Sequence, residues 1–356
     1  MKSLLKGKMK TLDMKKDEIM NAIISIDNED ILNRILGVCG EEKVIDAFGE
    51  FEKSGTSLNG VELEYFKTEL LGSTTAVESK IELLSLLSSN EAKIGAEFFS
   101  FSSGNFLTAL DSRISSNETF LDIFPALSRY TSHAADGLGK MEMVLLLCGK
   151  NASKPDSKGE GKKGDVIIDG LHVEVKCDGG MMHAGNVDVA KGHVKTLNKM
   201  VFDYATDNGY RIPKGVDNSY FSLASRKNKG KWGFDVLKEM DTEEAIGLMT
   251  EYFSNLYITF TDEEVNSLVD EVIPALGDDK KVASICAKYV MDGYKRHEKW
   301  DSIIVFDTKT SNFGIATDGK SLTSTWRCNL PSLSRGKSTY AVPDGSVIVN
   351  VDNKKV

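Results

Sequence analysis

Five cysteines in 356 residues, Cys39, Cys148, Cys177, Cys286 and Cys328, are odd in number, scattered and never spaced as CxxC. That suggests neither a disulfide framework nor a zinc knuckle and fits a reducing, cytoplasmic setting best. No uninterrupted apolar run approaches the ~20 residues of a bilayer span. The basic start MKSLLKGKMK has no apolar stretch behind it, so a soluble, unsecreted protein with no membrane partner is expected. There is no GxxxxGK[ST] stretch, hence no P-loop with which to drive translocation. Internal repeats are also lacking. Positive charge is in deficit, 44 Lys and Arg against 53 Asp and Glu for a net −9, which argues against an all-round basic coat. Between Lys150 and Lys231 the balance reverses, whereas the N-terminal third and Asp235 to Asp279 are acidic. One basic face on an acidic body is the simplest picture, with solvated loop lysines as the alternative.

The length allows one large domain or two ordinary ones, each with its own core. From Lys10 to about Phe99, apolar residues recur at three- and four-residue spacing, as in DEIMNAIISI, EDILNRILGVC and VESKIELLSLL, predicting helices. Asp27 or Asn28, and Ser73, Thr74 or Thr75, are the expected N-caps, with SGTSLNG a loop. The polar stretches around Ser102 and Ser115 read as linker or loop, and DIFPALSRY and GLGKMEMVLLLC as a more apolar helix pair. NASKPDSKGEGKKG, 151–164, has loop composition. Next comes DVIIDGLHVEVKC, β-branched, alternating and broken at Asp169-Gly170, which predicts a two-residue hairpin. Helical patterns dominate about 187–299, and late strands are expected in WDSIIVFDTKTSNFGIATDG, STYAV and SVIVNV. The expectation is an α/β protein, a mixed sheet flanked by helices. A helical acidic region would span 1–131, and a sheet domain 132–356 would carry a helical insertion at about 187–299.

If Asp169 and Gly170 form the turn, Val166 faces Val173 and Asp165 faces Glu174. Opposed residues share a face with Cβ atoms ~5 Å apart. Alternation puts Lys176 on that face too, and Val166, Ile168, Leu171, Val173 and Val175 on the other as an apolar strip. Two opposed carboxylates repel, so a compensating cation is called for, and a divalent metal suits it. Lys176 would then stand beside an attacking water, a set of parts suited to phosphodiester hydrolysis. Glu142 lies in a helix that is apolar nearly all round and would find its partner at the same metal. The alternatives are an exposed Lys140/Glu142 stripe and an ordinary surface Glu-Lys pair.

The pattern GD-x8-E-V-K after a Glu-bearing helix, over about Leu138 to Cys177, resembles the PD-(D/E)XK nuclease superfamily, with weaker agreement in SIIVFD. The resemblance implies a restriction-endonuclease-like mixed sheet and one or two Mg²⁺ ions, with Mn²⁺ able to substitute. Asp165 would be the first acid, Glu174 the second, Lys176 the lysine and Glu142 the helix acid. Gly164 stands where the motif has proline. The spacing is similar to that of bacteriophage-encoded members, which would place the protein in a bacterial or infected-host cytoplasm. The implied activity is Mg²⁺-dependent DNA hydrolysis by an endonuclease. A non-catalytic nucleic-acid-binding or virion-type structural protein retaining the fold is the competing class, and homodimerisation stays open.

For DNA contact the sequence offers Lys158, Lys162 and Lys163, and the cluster Arg226, Lys227, Lys229 and Lys231 beside Trp232, suited to phosphate contacts with base stacking. A charged turn is the alternative for the second cluster. His183 and His193 read as exposed helix residues or phosphate contacts, and His172 as a strand filler or a neighbour of the site.

Overall fold

The structure, a computed structural model, describes residues 29–132, 137–155, 164–182, 201–212, 235–257, 259–321, 326–328, 347–354 and 356. Three helices open the described chain: α1 (Glu29–Lys53), α2 (Gly60–Gly72) and α3 (Val77–Ser88). Helix α2 starts in a capping box, Asn59 accepting from the Val61 and Glu62 amides while Glu62 accepts from the Asn59 amide. At α3 the expected hydroxyl cap is not used. Ala76 occupies the N-cap position, while Ser73 closes α2 and bonds Asp122, and Thr75 bonds Thr119. Contacts from the distant helix α6 (Glu118–Arg129) thus claim the hydroxyls.

Strand β1 (Ser103–Asn105) and the short helices α4 (Phe106–Ala109) and α5 (Ser112–Ser115) lie where the polar sequence reads as loop. Three residues without apolar side chains become a strand because the strand Asn312–Ala316 offers them an edge to pair with. After α6 come α7 (Glu142–Cys148), β2 (Val166–Ile168), β3 (Leu171–Cys177) and β4 (Gly180–Met182). Residues 201–207 and 235–239 are helical, followed by α8 (Thr242–Leu256), α9 (Asp262–Val272) and α10 (Asp279–Glu298). The last strands are β5 (Ser302–Asp307), β6 (Asn312–Ala316), β7 (Trp326–Cys328) and β8 (Val347–Val351). The expected strand STYAV lies outside the described residues.

The protein is mixed α/β. Its five-stranded sheet has the order β1-β6-β5-β3-β2, and β4-β8-β7 form a smaller sheet. Strands β3 and β5 are parallel; the other pairs in the large sheet are antiparallel. Strand β5 is buried along its whole length, as expected for a central strand covered on both faces. Ile304 and Phe306 pack with Val166, Ile168, Val173 and Val175 against the N-terminal helices and α7. Ile303 and Val305 face the opposite way into a core built with α8, α9 and α10. Each fully buried aliphatic or aromatic side chain contributes roughly 1.5–3 kcal/mol, so both layers hold the central strands firmly. Among the described residues no helix is long and apolar enough to cross a membrane.

Candidate active site

Alternation along β3 divides it as the sequence implies. Val173 and Val175 enter the core under the N-terminal helices. In the parallel ladder Glu174 is level with Ile303 and Lys176 with Val305, so both polar residues lie on the face covered by α10. Glu174 is only 4% exposed, and a carboxylate so placed needs partners. It has two, both at Oε1: Lys176 Nζ at 2.5 Å and the hydroxyl of Tyr294, which donates.

The hairpin register is the expected one from Ile168↔Leu171 through Val166↔Val173. Beyond that the structure departs from a regular ladder. Gly164, at φ +98°, brings the backbone so close over Val173 that a Cβ would lie 3.0 Å from its carbonyl oxygen. The Asp165 amide donates to the Val173 carbonyl, and its Oδ2 accepts from the Val175 amide at 2.8 Å. Asp165 therefore joins Glu174 from the end of a broken ladder and not as its opposed partner in a continuous one. Its carboxylate occupies the position on β3 where the next strand residue would have bonded.

Because β2 ends there, the second half of β3 is met by the turn ahead of α7, where Cys177 Sγ donates to the Lys140 carbonyl at 3.6 Å. Met141 in this turn is left-handed, φ +68°, although its side chain is buried. Such a conformation costs on the order of 1–3 kcal/mol and persists only where its surroundings enforce it. The next residue is Glu142, 9% exposed, with its carboxylate against Gly139 so tightly that a Cβ there would collide with Oε1. The fully apolar run Met143 to Cys148 fills the core and holds the helix that carries it. Glu142 is thus a buried acid, not part of an exposed stripe.

Three carboxyl groups of the expected set, Glu142, Asp165 and Glu174, share this region with one ammonium, Lys176. Burial, then the Asp165 charge, push Glu142 up to about 8, against the pull of the Gly139 backbone hydrogen bond and Lys176. Burial, then Glu174, push Asp165 up to about 6, with Glu298 adding to the effect. Burial alone would lower Lys176, but Glu174, Asp165 and Glu142 together raise it, so it stays charged. The excess negative charge matches what a divalent cation neutralises. Among the described residues no three Asp, Glu, His or Cys side chains already form an ion cage. Mg²⁺ does not need one, since it keeps several waters and takes one or two carboxylates. Asp165 and Glu174, with Glu142 near enough to feel their charge, are donors of that kind.

His172 secures the start of β3, its amide donating to Asp301 Oδ2 and its carbonyl accepting from the Asp301 amide. Lys158, Lys162, Lys163, Arg226, Lys227, Lys229, Lys231, Trp232, His183 and His193 lie outside the described residues. Two residues of the site escape sequence reasoning: Tyr294, bonded to Glu174, and Glu298, close enough to raise Asp165. Their i, i+4 spacing marks a common face of α10, but nothing local says which strand that face meets. In comparisons with known proteins the chain matches no family model, no curated protein and no solved structure.

Proposed function

We propose that the protein is a divalent-cation-dependent nuclease that hydrolyses DNA phosphodiester bonds internally, using Mg²⁺, with Mn²⁺ able to substitute. On this reading the five-stranded mixed sheet is a restriction-endonuclease-like core. The observation that carries the proposal is the convergence of Glu142, from the start of α7, with Asp165, Glu174 and Lys176, from the hairpin, at the point where β2 leaves β3, in a largely buried, net negative site.

Asp165 and Glu174 would hold the cation, and Glu142 would complete or assist its shell. When bound, the cation supplies neutralisation of the phosphate and a more acidic water. Lys176, kept charged by its neighbours, orients the attacking water and offsets charge developing on the phosphate. The water oxygen bonds to phosphorus as one P–O ester bond breaks, giving a phosphomonoester and an alcohol; one water proton ends on the leaving oxygen and the other passes to bulk water. Lys158, Lys162 and Lys163, with the Arg226–Lys231 cluster, would hold the phosphates on either side.

A plasmid-nicking assay with Mg²⁺, run beside calorimetric titration with Mn²⁺, tests this. Lys176→Ala is expected to lose cleavage by ~10²-fold or more while still taking up Mn²⁺. Asp165→Asn is expected to lose both. Full nicking by Lys176→Ala would defeat the mechanism, and a wild-type protein that binds DNA without cutting it would favour the non-catalytic class.

A further inference from the structure

We infer that Tyr294 is a positioning residue of this site: its hydroxyl sets the Glu174 carboxylate for the cation and its ring seats the Lys176 ammonium. The inference rests on the nuclease reading above and adds a residue to it that the motif does not contain.

Tyr294 reaches the site from α10, 120 residues from Glu174 in sequence, and is 8% exposed. Its hydroxyl donates to Glu174 Oε1, the same oxygen that accepts from Lys176. With both donors on Oε1, the carboxylate cannot rotate freely, and Oε2 is the oxygen that would be left to a cation. A ligand carboxylate held in this way binds with less ordering to do, which is why the partners behind metal ligands matter nearly as much as the ligands. The ring does a second task. Lys176 Nζ lies 5.7 Å from its centroid, within the range where the negative face of an aromatic ring attracts a cation. The ring is itself braced by Trp300, 1% exposed, at 6.0 Å and an interplanar angle of 62°.

A tyrosine that only filled the core would need its ring and not its hydroxyl, and that difference separates the two roles. Tyr294→Phe keeps the ring against Lys176 and Trp300 and removes only the donor to Glu174. The expected result is a rise of ~10-fold or more in the Mn²⁺ dissociation constant, the range found for outer partners of metal ligands, with an unchanged melting profile in chelator. Cleavage lost at low Mn²⁺ is expected to return at high Mn²⁺. Tyr294→Leu removes the ring as well, and its cleavage defect is expected to persist at saturating Mn²⁺ because Lys176 has lost its seat. If Tyr294→Leu does not fold, the phenylalanine variant decides alone, since a phenyl ring fills the same space. A wild-type protein that binds Mn²⁺ and cleaves DNA, with Tyr294→Phe matching it in Mn²⁺ affinity, overturns this inference and leaves the nuclease reading standing. Equal losses of affinity and saturated rate in both variants overturn it too, as general loosening. A wild-type protein that takes up no Mn²⁺ overturns both.

Discussion

Replacing Glu142 with glutamine is expected to stabilise the cation-free protein at neutral pH. The carboxyl is 9% exposed and is pushed, by burial first and the Asp165 charge second, from its ordinary 4.5 up to about 8. Between those values the folded protein retains a proton that the unfolded chain has released. Stability therefore falls as pH rises through this window, the reverse of an acid held by a cationic partner. At ~1.4 kcal/mol for each pH unit, the residue costs about 3 kcal/mol at pH 7 and nothing well below 4.5. Glutamine has the same shape and no charge to lose. Because the Asp165 charge supplies part of the shift, part of the cost is shared, and a gain of ~1–3 kcal/mol is expected. Urea denaturation in chelator near pH 7 and near pH 4, followed by circular dichroism, would measure it: a gain at the higher pH that disappears at the lower. Added Mn²⁺ should narrow the gap by giving the wild type the neutralisation it lacks. A variant no more stable than wild type near pH 7, or equally stabilised at both pH values, would refute the burial of Glu142 beside the Asp165 charge.

The tight turn before α7 gives a second expectation: Gly139→Ala puts a Cβ into the Glu142 carboxylate, so cleavage should fall although no acid and no lysine has changed. Nicking assays with melts would show a loss of activity larger than the loss of stability; full activity would remove Glu142 from the working set. Charge reversal at Lys158, Lys162 and Lys163 should weaken DNA binding and flatten its salt dependence, by ~0.9 in the log–log slope for each phosphate contact removed from duplex DNA. Fluorescence anisotropy over a salt series measures this, and an unchanged slope would place the DNA path elsewhere.

The hairpin at the centre of the site was legible in the sequence because two local rules agree there: side chains alternate with a period of two, and Asp169-Gly170 adopts the left-handed turn, φ +51° and +82°, that such hairpins require. That set Val173 and Val175 on one face and Glu174 and Lys176 on the other. The helices α8, α9 and α10 were legible for a similar reason, since apolar spacing acts within a few residues; their side-chain caps, Asp241, Thr261 and Asp278, emerge from the structure. SIIVFD was readable as a strand from its apolar run, but its parallel seat beside β3 was not. Tertiary contacts alone decided that Ser103–Asn105 would be a strand, since β6 supplies the hydrogen bonds that its side chains cannot earn by burial. They also set Ala76 in place of a hydroxyl at the start of α3, and broke the ladder at Asp165 where Gly164 crosses Val173. Tyr294 is the clearest case. Its chemistry is visible in any reading of the chain, but its meaning comes from an oxygen 120 residues away, and only the packing of α10 across the sheet brings the two within reach.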